Sequence, residues 1–172
     1  MEIRLLRAPT HEDWKRCYAL ALNTVWKFSD KVPSAEWKNR IVKAQHSPIR
    51  TLMYTVELKD IPYYCAMHLV RHKYGVEWYV SSQRNDRQDM YDRRAARQDS
   101  PVTVIADMNM QAFINISKRR LCSQADETTR MIWEKVADAV CGWETELTEL
   151  AKAIQPDCKN CGEFYPCGRK EI

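Results

Sequence analysis

Glycine is scarce in this chain, with four in 172 residues. Neither G-x-G-x-x-G nor G-x-x-x-x-G-K-[ST] occurs, so nucleotide binding by a Gly-rich phosphate loop is excluded. No apolar run reaches the roughly 18 residues of a membrane span. The first ten residues, MEIRLLRAPT, lack the apolar centre of a signal peptide. The expectation is a cytoplasmic protein with no membrane partner. In a reducing compartment its seven cysteines read as thiols or metal ligands rather than a disulfide framework.

What is present suits one folded unit. Apolar residues make up 45% of the chain, enough for a sizeable core at this length. The net charge is +4, and its distribution matters more than its size. Five arginines (Arg84, Arg87, Arg93, Arg94 and Arg97) crowd one stretch, with Asp86, Asp89 and Asp92 interleaved among them. The acids dilute what would otherwise be a nucleic-acid stripe. The pattern suits either a solvated surface or arginines that meet discrete phosphates.

Periodicity outlines an α+β fold, an antiparallel or mixed sheet flanked by helices. Residues 2–6 read as a short strand. Thr10 is a helix cap with acidic residues after it, and apolar residues at helical spacing follow from Trp14 to Trp26. A second helix runs from Pro33 to Gln45, and His46-Ser47-Pro48 is a turn. The β-branched and aromatic run Ile49–Leu58 is a strand. Asp60-Ile61-Pro62 turns the chain into a short helix, Tyr63 to His72. Val76–Val80 and Pro101–Ala106 are further strands, with a loop over 84–100. From Met108 the pattern is helical, with long C-terminal helices: one after Met108, then one from Asp126 to Ala151 that Gly142 bends or divides. Ser123 reads as the cap of the later helix. The chain divides into a domain over 1–155 and a cysteine-containing tail over 156–172.

Three groups of residues carry chemistry. Arg71-His72-Lys73 ends the short helix; such a group either grips an anion or simply favours the helix dipole. Arg119-Arg120 and Arg130 form a second basic group around LCSQADETT, open to an anion or to salt bridging with Asp126 and Glu127. In the tail, Cys158, Cys161 and Cys167 stand as C-x2-C-x5-C. This is three-quarters of a tetrahedral zinc site, which His11, His68, Cys65 or another subunit would complete. Ser81 and Ser82 lack the His/Asp context of a serine hydrolase.

The order of these pieces resembles the flavin-dependent thymidylate synthase family (ThyX). That family's signature is RHR-x7-S followed by x-R-Y. Arg71-His72-Lys73, seven residues and Ser81 match the spacing, with lysine for the third arginine. HSPIRTLMYTVELKDIPYYCAMHLVRH is similar to the family's approach to the motif. Downstream, Asn109 and then RRLCSQADETTR are similar to N-x-R…L-R-x4-A-Q-W-E-I-R, with Arg120, Ala125 and Arg130 at matching spacing. The resemblance covers roughly residues 40–135.

The resemblance implies a ThyX-like fold and a defined chemistry. FAD carries a methylene from methylenetetrahydrofolate to C5 of dUMP and then supplies the hydride that completes dTMP. NADPH is the reductant, and the protein is a homotetramer with active sites shared between subunits. Carried over by position, Arg71 lies between nucleotide and flavin, and His72, Lys73, Arg120 and Gln124 contact FAD. His68, Ser81, Ser82, Arg84 and Arg130 contact the nucleotide, with Ser81 and Ser82 competing for the motif serine's place. Departures fall mainly on the nucleotide side. Trp78-Tyr79 replaces the family's N-E, His68 its glutamine, Asn85 its tyrosine and Gln111 its N-x-R arginine, while A-D-E-T-T-R replaces A-Q-W-E-I-R. An upstream nucleotide-binding arginine has no unique match, and Arg94 or Arg97 could supply it. These departures leave open a related pyrimidine nucleotide or a hydroxymethyl product. A different class, a non-enzymatic nucleotide- or nucleic-acid-binding protein with a zinc-stabilised tail, rests on the arginine-rich loop and the tail cysteines.

Overall fold

The computed structural model describes residues 1–84, 86, 92 and 94–168. Asn85, Arg87, Asp89 and Arg93, singled out above, lie outside the described residues. The described residues form four strands: β1 (Glu2–Arg7), β2 (Met53–Pro62), β3 (Val76–Val80) and β4 (Pro101–Asn109). They also form six α-helices: α1 (His11–Asn23), α2 (Ala35–Lys43), α3 (Tyr63–Leu69), α4 (Met110–Arg120), α5 (Glu127–Trp143) and α6 (Thr148–Ala153). The sheet order is β1-β2-β4-β3 and every pairing is antiparallel, so the mixed alternative is set aside.

Strand β4 alternates strictly. Val102, Val104, Ala106 and Met108 are buried, and this period of two carries the strand three residues past its expected end at Ala106. Strand β2 buries Tyr54, Val56 and Leu58 and then changes parity to bury Ile61. The register with β4 shifts between Leu58 and Ile61, and Asp60 adopts a left-handed φ of 55° there. This bulge absorbs the expected Asp60-Ile61-Pro62 turn into the strand. At the other end, Pro48 fixes a 3-10 turn over Ser47–Thr51, so the strand begins at Met53 rather than Ile49.

The helices cover one face of the sheet. Trp133, Val136 and Val140 of α5 pack with Phe113 and Ile116 of α4 into the core, and Phe113 lies 5.8 Å from Tyr54, centroid to centroid. α5 starts one turn later than a Ser123 cap requires. Its cap is Asp126, whose carboxylate accepts from the Thr129 N–H at 2.8 Å. It ends at Trp143, and the long helix expected to Ala151 divides at Glu144 rather than at Gly142. Beyond α6, residues 156–168 contain no helix or strand.

Candidate functional site

The site grows from the turn between α3 and β3. α3 ends at Leu69, and the His72 N–H donates to the Leu69 carbonyl at 3.1 Å. Trp78 on β3 reaches back, its indole N–H donating to the His72 carbonyl at 2.8 Å. Gly75 closes the turn with φ +73°, and a Cβ there would stand 2.5 Å from Asn109 Nδ2. The Asn109 N–H donates to the Gly75 carbonyl at 2.9 Å, and its side chain caps α4 by accepting from Ala112 N–H at 2.8 Å. One asparagine therefore fixes both the motif turn and the start of the helix that carries the second basic group.

The last turn of α4 delivers Arg120 to that turn. Its Nε–H donates to His72 Nε2 at 2.9 Å, and Nη2 donates to the His68 carbonyl at 2.6 Å. An imidazole nitrogen that accepts carries no proton, so His72 is neutral with its proton on Nδ1. Burial, then Arg120 and Arg119, push the His72 pKa down to about 4. Burial and the neighbouring Arg71 lower the Arg120 pKa as well. His72, Arg119, Arg120, Cys122, Gln124, Ala125 and Glu163 line a concave surface of about 340 Å³. Two guanidinium groups, of Arg119 and Arg120, thus crowd a neutral imidazole, with the Glu163 carboxylate among them: a place for an anion.

His68 is oriented separately. Its Nδ1 lies 2.9 Å from Thr129 Oγ, and the Thr129 hydroxyl donates to Asp126 at 2.8 Å. With that hydroxyl proton committed, His68 Nδ1–H is the donor, and in that tautomer Nε2 is left as an acceptor. The N–H and hydroxyl of Thr129 hold the Asp126 carboxyl below its usual range. Asp126 is thus engaged by Thr129, not by the arginines proposed as its salt-bridge partners. Arg130 stands 3.7 Å from Glu134, and its buried Nε–H has no hydrogen-bond partner.

The serines and Arg84 lie elsewhere. Tyr63, Met67, Val80, Ser81, Gln83 and Arg84 line a second concave surface, of about 260 Å³, that shares no residue with the first. Ser81 continues the sheet: its N–H donates to the Thr103 carbonyl at 2.8 Å, and its hydroxyl accepts from Thr103 N–H at 3.0 Å. Ser82 Oγ accepts from Arg84 N–H at 3.2 Å. The Arg84 guanidinium meets Asp86 with two hydrogen bonds, at 2.9 and 2.6 Å, and Arg97 pairs with Asp99 at 3.0 Å. Each of these two cations therefore has a carboxylate two residues away as its partner. Lys73 and Arg71 are exposed.

The fold therefore brings His68, His72, Arg120 and Gln124 to one end of α4 and α3, and places Ser81, Ser82 and Arg84 beyond β3. Sequence spacing missed Thr129 with Asp126, Arg119 with Glu163, and Gln83, whose buried amide N–H lacks a partner beside Arg84. The zinc expectation is not met. Cys158, Cys161 and Cys167 line one concave surface, but among the described residues no three His, Cys, Asp or Glu side chains converge as a metal site. The tail arrives as a string of turns, and its contacts with the body include Glu163, the Tyr165 carbonyl and Cys167.

No protein-family model and no curated protein matches the chain. Solved structures do. A flavin-dependent thymidylate synthase ThyX from Helicobacter pylori, complexed with FAD and dUMP, superposes with a TM-score of 0.69 at 13% identity, covering 87% of this chain and 98% of that one. A second structure of thymidylate synthase X from Helicobacter pylori, with FAD and dUMP, gives 0.69 at 12% identity over 88% and 100% of the two chains. The α+β chain therefore has the fold of the flavin-dependent thymidylate synthases, carried by a divergent sequence.

Proposed function

We propose that the chain is an FAD-dependent enzyme that transfers a one-carbon unit to C5 of a pyrimidine nucleotide, a thymidylate synthase acting on dUMP. The observation that carries this reading is the Arg120–His72 hydrogen bond, which joins the two sequence blocks at a cationic cavity on a fold shared with enzymes solved with FAD and dUMP.

The residues present fit an anionic flavin nucleotide. Arg119 and Arg120 supply positive charge, Gln124 an amide, and neutral His72 keeps Nδ1–H as a donor. His72, Arg120, Gln124 and the exposed Arg71 and Lys73 would hold it. Bound FAD would accept the methylene of methylenetetrahydrofolate and supply the hydride, with NADPH as its reductant. The protein's own part is positioning. Arg120 locks the tautomer and direction of His72, Trp78 and Gly75 lock its backbone, and Arg71 stands between this cavity and the nucleotide.

The nucleotide would meet Ser81, Ser82, Arg84 and Arg130. Arg84 would exchange Asp86 for phosphate, and Arg130 Nε–H would gain the acceptor it lacks. Because these residues and the flavin cavity form two surfaces in one chain, the complete site would combine copies of the chain in a homotetramer.

A purified protein carrying bound flavin, visible by absorbance or acquired on FAD titration, is the expected result. Mass analysis would find dTMP formed from dUMP, methylenetetrahydrofolate and NADPH. A colourless protein that binds no FAD sinks the proposal.

One observation favours a second reading, a different pyrimidine. His68 stands at the family's glutamine position, and Thr129 fixes its ring. A glutamine amide offers both a donor and an acceptor there, whereas His68 offers Nε2 as an acceptor. That suits a donor such as the cytosine amino group. Turnover of dUMP with none of dCMP would remove this reading.

A further inference from the structure

We infer that residues 156–168 form a displaceable strap that sets the carboxylate of Glu163 into the cationic cavity, and that a diphosphate-bearing nucleotide enters by replacing that carboxylate. The ligand class rests on the flavin reading of the cavity; the strap itself rests on its own contacts.

Those contacts are few and polar. Glu163 forms an ion pair with Arg119 and lines the same concave surface as His72 and Arg120. Gln124 Nε2–H donates to the Tyr165 carbonyl at 2.6 Å, and the Ser123 hydroxyl lies 3.6 Å from Cys167 Sγ. Each grips the body at the last turn of α4 or on the connection to α5, beside Arg120. A larger concave surface of about 710 Å³ runs under the strap and shares Arg119, Cys122, Gln124 and Glu163 with the first. The two concave surfaces thus meet along the strap, at Arg119 and Glu163.

Nothing apolar anchors its outer part, residues 161–168. Of residues 161–168, Glu163 alone is not exposed. The two aromatics of the segment stack on one another at 4.8 Å and remain 88% and 79% exposed, Phe164 and Tyr165 respectively. A segment without buried apolar surface opens at low free energy. Exposed ion pairs contribute little, so an anion with more charge than a carboxylate outcompetes Glu163 for Arg119. The strap's two tightest contacts fall on Arg119 and Gln124, which a bound anion would need.

Inorganic pyrophosphate is the direct probe, measured by calorimetry on the full chain alongside FAD titration by fluorescence. Glu163→Gln keeps the shape and removes the charge; Glu163→Lys places a cation at the same half-buried position. Glu12→Gln, on α1, controls for net charge. Relative to wild type, pyrophosphate and FAD should bind about fivefold tighter to E163Q, and tighter still to E163K, with E12Q unchanged. Equal affinity of wild type and E163Q for pyrophosphate, or no pyrophosphate binding by any form, overturns the strap. Tightening of pyrophosphate with no FAD binding would keep the strap and lose the flavin reading. FAD bound equally by wild type and E163Q would do the reverse.

Discussion

Arg120 donates to His72 Nε2, and that donation fixes the tautomer of an imidazole that burial, then the arginines, keep neutral. The signature spacing made His72 and Arg120 candidates, but 48 residues separate them, and nothing in the sequence says that one is the other's partner. Nor does it reveal that Thr129 and Asp126 aim His68, because the donor chain runs through a threonine with no functional signature of its own. The pKa of His72 is about 4 against an ordinary 6.5, so between those values the unfolded chain binds a proton that the folded chain does not. Stability from neutral His72 is complete above about pH 6.5 and is lost as pH falls towards 4. Denaturant midpoints of wild type and His72→Gln, compared from pH 7.5 to 4, should diverge in that window, wild type falling further. A difference that stays flat means His72 is not held neutral by its surroundings. In Arg120→Ala the imidazole keeps its burial but loses a facing cation, so its NMR titration should move upwards from about 4 while FAD binding weakens at least tenfold.

At the scale of elements, the strands were legible where burial alternates and misleading where the backbone departs from the ladder. The pattern of Val102, Val104 and Ala106 predicts β4, and Met108 merely continues it. The Asp60 bulge looks like a turn in sequence because Asp-Ile-Pro is turn chemistry; inside β2 the same residues reset parity so that Ile61 faces the core. The helix after Tyr63 was readable in place, while its function depends on the turn that follows. Gly75 sets that turn. Alanine there meets both a left-handed φ and the Asn109 side chain, so Gly75→Ala should lower stability by about 1–3 kcal/mol. Because Asn109 also caps α4, the substitution should disturb Arg120 as well as His72, and flavin affinity should fall further than the stability change alone explains. An unchanged melting temperature for Gly75→Ala would show that Asn109 yields without strain. Asp126→Ala tests the other support: loss of the α5 cap costs about 1 kcal/mol and releases Thr129 from its acceptor.

Across the whole molecule, one surface lacks an account within the chain. The segment after α1 exposes Trp26 at 99% and Phe28 at 88%, with Val25 and Val32 beside them in sequence and Leu20 exposed on the helix that leads in. Trp26 also takes a left-handed φ of 57°. That conformation costs a bulky residue about 1–2 kcal/mol, and among the described residues no burial of this side chain repays it. Natural surfaces that expose aromatics together usually meet another protein. The proposed homotetramer supplies such a partner, and the division of candidate residues between two separate surfaces asks for one. Light scattering of the purified protein should give the mass of four chains. Trp26→Asp with Phe28→Ser should shift it to a smaller species and lower turnover, while leaving the circular dichroism of the fold intact, since both side chains lie outside the core. FAD affinity would tell how the site is divided. If the His72 cavity is complete within one chain, the smaller species keeps it; if a second chain walls the cavity, affinity falls with the mass. A wild-type protein that runs as a single chain at all concentrations would remove both the tetramer and the shared site.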